Sequence, residues 1–215
     1  MIPELCARCE KPRELCVCDR IHPIETKLQV LILQHPQEPD KRLGTARIAQ
    51  LMLPSATLKI GLSWPNLRSA LGQEVMPSKW AVLYLGSGVK GKITHAFQLV
   101  NKAGEPLPNA SDVRGELEGL VVLDGTWSQA KALWWRNAWL LKLRRAVLST
   151  STRSLYRELR REPRKECLST IESIGASLSA LGEPESTEQQ LRSVFADLLE
   201  RERLHYRTSR EKGAS

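Results

Sequence analysis

A chain of 215 residues with 41% hydrophobic residues is long enough to bury one substantial core and too apolar to be disordered. No apolar run approaches the roughly 18 to 20 residues of a membrane-spanning helix, and the first residues lack the apolar segment of a signal peptide. We therefore expect a soluble, cytoplasmic protein, whose formal net charge of +8 suits an anionic partner.

The first element is a cysteine cluster, CARCEKPRELCVC, with the spacing C-x2-C-x6-C-x-C. Two closely spaced cysteine pairs can complete a tetrahedral shell, which predicts a structural zinc site over residues 1–24, followed by one domain over residues 25–215. Lys11 and Arg13 would offset part of the thiolate charge. Two small disulfides are the alternative, and His22 could replace one ligand. The predicted zinc ligands are Cys6, Cys9, Cys16 and Cys18.

After this cluster, five apolar runs have the length of strands. Their apolar residues are continuous rather than alternating, which is typical of parallel strands covered on both faces and predicts an α/β fold. The runs are KLQVLIL (27–33), ATLKIGLSW (56–64), WAVLYLG (80–86), LEGLVVLDG (117–125) and RRAVLST (144–150).

Three helices are predicted between and after these runs. The first ends before Pro54, the second covers QAKALWWRNAWLL with Ser128 as its cap, and the third opens with the capping-box pattern Ser186-x-x-Gln189. Residues 182–187 are expected to link this last helix to the rest, and residues 207–215 to fray.

The stretch VVLDGTWSQAKALWW carries the first functional hypothesis. Asp124 lies at the carboxyl end of a buried strand, where open α/β sheets bind ligands, and Gly125 permits a tight turn. Trp127 follows directly. The alternative is that Asp124 caps a helix and Trp127 belongs to the core. Further tryptophans inside the helix are expected to pack: Trp134, Trp135 and Trp139.

The window from Arg136 to Lys165 contains ten basic and two acidic residues, an excess equal to the net charge of the whole chain. Such a local basic patch favours RNA binding, although a solvated surface without a partner is the alternative.

Together, these segments resemble the DTW-domain proteins, transfer-RNA uridine aminocarboxypropyltransferases related to the SPOUT RNA-modifying enzymes. The resemblance rests on LCVC, HPQE, RLGTAR, LYLGSG, LDGTW and STRSLYRELRREPRKECLSTIES, in this order. It implies a SPOUT-like parallel sheet flanked by helices, with a C-terminal trefoil knot and S-adenosylmethionine bound in loops after successive strands. The residues implied to bind this co-substrate are Leu85, Gly86, Ser87, Gly88, Leu123, Asp124, Gly125, Cys167, Leu168, Thr170 and Glu172.

The implied reaction transfers the 3-amino-3-carboxypropyl group of S-adenosylmethionine to N3 of a tRNA uridine, with a variable-loop uridine as the first expectation. Asp124 would act as general base or orient the uracil, Thr126 would hydrogen-bond the donor or the uracil, and Trp127 would stack on the base or wall the pocket. Alternatives are an S-adenosylmethionine-dependent RNA methyltransferase, a noncatalytic zinc-ribbon RNA-binding factor, and an rRNA substrate. The residues expected to bind RNA are Arg42, Arg47, Arg153, Arg157, Arg160, Arg161, Arg164 and Lys165.

Overall fold

The structure, a computed structural model, describes residues 4–39, 41–83, 96–107, 114–149, 154–158 and 168–213, and their side chains except at 157, 158 and 209–213. The strands are β1 Gln29–Gln34, β2 Ala56–Ile60, β3 Trp80–Leu83, β4 Phe97–Val100, β5 Gly119–Asp124 and β6 Arg144–Leu148. The principal helices are α1 Ala46–Met52, α2 Leu67–Leu71, α3 Trp127–Arg136, α4 Thr170–Ala180 and α5 Glu185–Gly213. Short 3-10 turns occupy Arg13–Leu15, Pro77–Lys79, Ala138–Lys142 and Leu155–Glu158.

The six strands form one mostly parallel sheet in the order β2-β1-β5-β3-β6-β4. The pairs from β2 to β6 are parallel, and β4 alone runs antiparallel, against β6. The α/β class and all five predicted strands are confirmed. The edge strand β4 was not predicted, since it contains only four residues, although a turn from Asn101 to Gly104 follows it directly.

Both faces of the sheet are covered, which explains why the central strands are apolar without alternation. Every residue of β5 is buried. Leu120 and Val122 pack in a cluster with α1, α4 and α5, whereas Val121 and Leu123 pack on the opposite face with α2 and α3. The carboxyl ends of β1 and β5 therefore form a rigid edge between two packed layers.

Two helix boundaries differ from the predictions. Helix α3 begins at Trp127 with Thr126 as its cap, because Gln129 completes a capping box with Thr126; the predicted Ser128 cap was wrong. Helix α5 begins at Glu185, inside the predicted linker. In its first turn, Thr187 N–H donates to the carbonyl of the preceding Pro184 over 2.9 Å. Proline favours the first turn of a helix. This helix continues to Gly213, so the predicted fraying was also wrong over 207–213.

The tryptophans of α3 and the turn after it divide between core and surface. Trp139 is buried, and Trp134 is half-buried with the Arg145 guanidinium 5.5 Å from its ring centre. Trp135, however, is 78% exposed, so its predicted packing role was wrong. The reason is helix geometry: Trp135 lies about 200° around the helix from the buried Leu133.

The cysteine-rich segment, residues 4–24, shares the main hydrophobic core with the rest of the chain. Leu15 and Val17 belong to the same buried cluster as Phe195 and Leu198 of α5. Ion pairs between Arg20 and Asp197 (2.8 Å) and between Arg201 and Asp19 (2.7 Å) flank this contact. The boundary between residues 24 and 25 stays a prediction. Within the described ranges, every helix is too short or too polar to cross a membrane.

Gly119 provides a test of the packing between β5 and β3. An added Cβ would lie 2.5 Å from ring carbons of the fully buried Trp80. We expect Gly119→Ala to lower the free energy of unfolding by about 1 to 3 kcal/mol in urea denaturation, because the ring must shift. The control is Gly115→Ala, where no atom lies within 4 Å of the added Cβ. Equal effects of the two substitutions would contradict this packing.

Candidate functional site

The centre of the site is the Asp124 carboxylate, which is 8% exposed at the carboxyl end of β5. The parallel register places Gln34, the last residue of β1, beside Asp124. Gln34 Nε2 donates a hydrogen bond of 2.7 Å to Asp124 Oδ2, and the Thr170 hydroxyl donates to Asp124 Oδ1. Two strands and the start of α4 therefore fix one carboxylate.

Burial raises the pKa of Asp124 above its ordinary value. The hydrogen bonds from Thr170 and Gln34 act in the opposite direction, because they stabilise the carboxylate, but burial has the larger effect. A carboxylate with a raised pKa accepts a proton more readily than an ordinary aspartate, which is the property required of a general base.

The next three residues form the turn from β5 into α3. A Cβ at Gly125 would lie 2.8 Å from Gln129 Cβ, so this turn has no room for a side chain. The exposed Thr126 accepts a hydrogen bond from Gln129 N–H, while its own N–H donates to Gln129 Oε1 over 2.6 Å. Trp127, the first helical residue, is half-buried. The Thr126 side chain thus caps α3 and also faces solvent beside Asp124.

Helix α4 contributes Thr170 to the site, whereas Glu172 has a different environment. Glu172 is fully buried and accepts hydrogen bonds from the Ser169 hydroxyl (2.7 Å), the Ser154 hydroxyl (2.9 Å) and Arg192 Nη1 (2.9 Å). These contacts hold Glu172 in the protein's own hydrogen-bond network. Leu168 is half-buried just before the cap of this helix.

Arg42 and Arg47 already have partners within the protein. Arg42 contacts Glu202 at 2.8 Å and Glu14 at 3.2 Å, which links the loop before α1 to α5 and to the cysteine-rich segment. Arg47 donates to the Arg8 carbonyl over 3.2 Å and lies 3.4 Å from a Glu10 oxygen. Binding of RNA at these two positions would have to compete with these contacts.

Much of the predicted RNA and co-substrate surface falls outside the described residues. This applies to Leu85, Gly86, Ser87, Gly88, Arg153, Arg160, Arg161, Arg164, Lys165 and Cys167, and to the side chain of Arg157. Their predicted roles stay predictions.

The four N-terminal cysteines converge on one point. Their sulfur atoms all lie within 4.8 Å of one another, with Cys6–Cys18 at 3.7 Å and Cys9–Cys16 at 3.8 Å. Tetrahedral zinc with bonds of about 2.3 Å separates its sulfur ligands by about 3.8 Å, so the geometry fits zinc. All four are free thiols rather than disulfides. In the described part of the chain, His22 is not a member of this group.

Four thiolates at these distances would need a cation to offset their negative charge. Backbone N–H donors of Cys9 and Arg8 lower the pKa of Cys6 to about 6, whereas burial raises the pKa values of Cys9 and Cys18. Four adjacent thiolates repel one another and are partly desolvated, so a bound divalent metal is the natural means of keeping all four deprotonated.

Lys11 was missed as a site residue. It was expected to be a counter-charge near the cysteines, but the structure buries it to 3% exposure, and burial lowers its pKa to about 8. It lines a cleft together with Gln34 and Glu38, next to the Asp124 edge. No periodicity in the sequence indicates this, since the burial results from packing the cysteine-rich segment against the end of β1.

Comparison with known sequences identifies the family. The DTW domain matches residues 3–203, which is nearly the whole chain. This chain belongs to the DTW domain family. Its Asp-x-Thr-Trp motif comprises Asp124, Thr126 and Trp127, with Gly125 at the variable position, at the strand end described above.

The DTW relatives share a common name. The chain is 30% identical to tRNA-uridine aminocarboxypropyltransferase 2 of Macaca fascicularis, over 82% of this chain and 56% of that protein. It is 32% identical to tRNA-uridine aminocarboxypropyltransferase 2 of Drosophila melanogaster, over 82% and 66%. A third, tRNA-uridine aminocarboxypropyltransferase A of Arabidopsis thaliana, is 26% identical over 91% and 80%. The chain thus spans little more than half of the first relative's length. No solved structure gives a significant match.

The cysteine geometry predicts one zinc ion per DTW chain. We expect Cys16→Ser to lose the bound zinc, measured by elemental analysis of the purified protein, and to lower the free energy of unfolding by more than about 4 kcal/mol, because the metal would cross-link the two cysteine pairs that flank Leu15 of the main core. The control is Cys167→Ser, which removes the one cysteine of the sequence that is not a predicted zinc ligand and should keep the zinc. A Cys16→Ser protein with full zinc content would contradict the assignment.

The raised pKa of Asp124 predicts a pH-dependent stability difference. The protonated form is favoured in the folded state, so this contribution is complete below the ordinary value of 3.8 and is lost as the pH rises through the folded-state pKa. Asparagine cannot ionise. We therefore expect the stability of the wild type relative to Asp124→Asn to fall with rising pH above 3.8, measured by urea denaturation. A difference that is constant or that rises with pH would contradict the assignment.

Proposed function

We propose that this protein modifies tRNA by transferring the 3-amino-3-carboxypropyl group of S-adenosylmethionine to N3 of a uridine, with 5'-methylthioadenosine as the second product. The observation that carries the proposal is the buried Asp124 carboxylate beside Trp127 at the carboxyl end of the central strand, in a chain whose relatives are named tRNA-uridine aminocarboxypropyltransferases.

The reaction requires the loss of one proton. The sulfonium of S-adenosylmethionine activates the terminal carbon of the aminocarboxypropyl chain, and methylthioadenosine leaves as a neutral thioether when the carbon–sulfur bond breaks. The new bond joins that carbon to uridine N3, which gives up its proton. The protein must therefore supply a base near the uracil and hold the reacting carbon in line.

Asp124 is the proposed base. Its hydrogen bonds to Gln34 and Thr170 fix the orientation of the carboxylate, and burial raises its pKa, which strengthens it as a proton acceptor. Trp127 lies three residues further along the same turn and offers a ring for stacking on the uracil. Thr126, exposed beside Asp124, is the proposed hydrogen-bond donor to the substrate.

Binding of tRNA would use the basic window from Arg136 to Lys165. Five basic residues of this window lie in the described ranges, and two of them, Arg144 and Arg145, donate to the backbone carbonyls of Ser78 and Lys102. The RNA-binding role of the other basic residues, the SPOUT-like knot and the variable-loop target rest on the resemblance alone. Zinc is proposed to be structural, because its four ligands would leave no open position. The cytoplasmic location stays a prediction.

The decisive experiment incubates the purified protein with S-adenosylmethionine and unmodified tRNA transcripts, followed by nucleoside and small-molecule mass spectrometry. The proposal predicts aminocarboxypropyluridine and methylthioadenosine. Methylated nucleosides with S-adenosylhomocysteine would instead indicate a methyltransferase. Salt-sensitive tRNA binding without S-adenosylmethionine binding would indicate a noncatalytic RNA-binding factor, and product formed only on rRNA would change the substrate.

The role of Asp124 predicts a loss of turnover in this assay. We expect Asp124→Asn to lower kcat by about 100- to 10,000-fold, because asparagine cannot accept the N3 proton. The matched control is Asp197→Asn on α5, which removes a surface carboxylate that pairs with Arg20 and should leave kcat unchanged. Full activity of Asp124→Asn, with wild-type folding confirmed by circular dichroism, would exclude Asp124 as the base.

A further inference from the structure

Lys11 is a buried ammonium group whose contacts with the described residues leave most of its hydrogen-bonding capacity unused. It is 3% exposed and donates one hydrogen bond, of 2.9 Å, to the Lys41 carbonyl oxygen. Among the described residues, no carboxylate lies within 4.0 Å of its nitrogen and no cysteine sulfur accepts a hydrogen bond from it. An ammonium has three donors, and the negative groups that favour its charged form, Cys9, Asp124 and Glu10, act on it without accepting a hydrogen bond. An anionic ligand would supply the further hydrogen-bond acceptors that these residues lack.

A cleft is available next to this ammonium. It is a shallow cleft that opens to solvent and is lined by Lys11, Gln34, Glu38 and Gly44, among other residues. Gly44 keeps the cleft open, because a Cβ there would lie 3.5 Å from Lys11 Nζ and 3.3 Å from the Lys41 carbonyl oxygen. Gln34 connects the cleft to the reaction centre, since its amide holds Asp124 at 2.7 Å.

The charges along the cleft are of both signs. Glu38, 9% exposed, lies on the same cleft as Lys11, and one of its oxygens contacts Lys41 Nζ at 2.8 Å. Since Lys11 and Glu38 do not pair with each other, each can face a separate group of one ligand. A buried cation and a buried anion that line one cleft complement a zwitterion, and the ammonium–carboxylate end of an α-amino acid is such a group.

We propose that Lys11 binds the α-carboxylate of the aminocarboxypropyl donor and that Glu38 faces its α-ammonium group. The inference rests on the proposed function and deepens it: the zinc-binding segment would supply a residue that selects the amino acid end of the donor. Lys11 and Glu38 would thereby hold the transferred group next to Asp124. Two other roles for Lys11 are counter-ion to the zinc–thiolate cluster and contact to an RNA phosphate, and both predict different results below.

The test compares three ligands by isothermal titration calorimetry with the zinc-loaded protein. S-adenosylmethionine carries both charged groups, its decarboxylated analogue keeps only the amine, and methylthioadenosine lacks both. We expect Lys11→Met to weaken S-adenosylmethionine binding by about ten- to a hundredfold and to leave the other two ligands within about twofold. Glu38→Gln should instead weaken both amine-containing ligands and spare methylthioadenosine.

The controls separate this role from the alternatives. Lys79→Met removes a lysine that pairs with Glu118 at the opposite end of the sheet, and it should change none of the three affinities. Zinc content and unfolding midpoint are measured for each variant. Release of zinc by Lys11→Met would overturn the inference in favour of the counter-ion role, and weaker tRNA binding with unchanged S-adenosylmethionine affinity would overturn it in favour of phosphate contact.

The two proposals fail in different ways. If the wild type binds S-adenosylmethionine but Lys11→Met weakens all three ligands equally or none, the inference is wrong and the proposed function stands. If the wild type binds none of the three ligands, the proposed function is wrong and the inference with it.

Discussion

The Asp124 carboxylate is the point at which three elements of the fold meet. β5 carries it, Gln34 at the end of β1 donates to one oxygen, and Thr170 at the start of α4 donates to the other. A buried carboxylate must have its lone pairs satisfied, so the strand register and the approach of α4 are both constrained by one side chain. The same burial raises its pKa, and therefore the feature that constrains the fold also prepares the proposed base.

The cysteine-rich segment has a larger role than stabilising its own loop. Its residues Leu15 and Val17 share a core with α5, and its thiols lie at distances that suit zinc. Lys11 lies between the two cysteine pairs, and its side chain lines the cleft beside Gln34. A metal site that fixes the segment would also restrict the position of Lys11, since Lys11 lies only two positions after Cys9. Zinc binding and donor recognition would then be coupled through a short stretch of backbone.

Arginines in this protein divide between internal and external partners. Arg192 contacts the fully buried Glu172, and Arg42 joins Glu14 to Glu202, so both hold the fold together. The net charge of the chain therefore overstates the number of basic side chains that are available to bind RNA. Arg42 and Arg47 matched the family resemblance, yet their geometry is that of bridging residues. The dense basic window after Arg136 remains the better basis for the proposed tRNA contact.

The sequence alone determined the α/β class, the five apolar strands, the four convergent cysteines and the position of Asp124 at a strand end. These features depend on local patterns: continuous apolar runs, ligand spacing, and the rule that ligands bind at carboxyl ends of parallel strands. Local rules failed where neighbours competed, as at the Ser128 cap, where Thr126 with Gln129 formed the capping box instead.

The partners of Asp124 and the burial of Lys11 were decided only by the tertiary structure. Gln34 and Thr170 lie 90 and 46 residues from Asp124 along the chain, and Lys41 lies 30 residues from Lys11. Such contacts depend on strand order and on how the cysteine-rich segment packs against the end of the sheet. A local pattern of residues contains no information about which distant side chain will lie opposite, so the chemistry of the cleft emerges only in the folded chain.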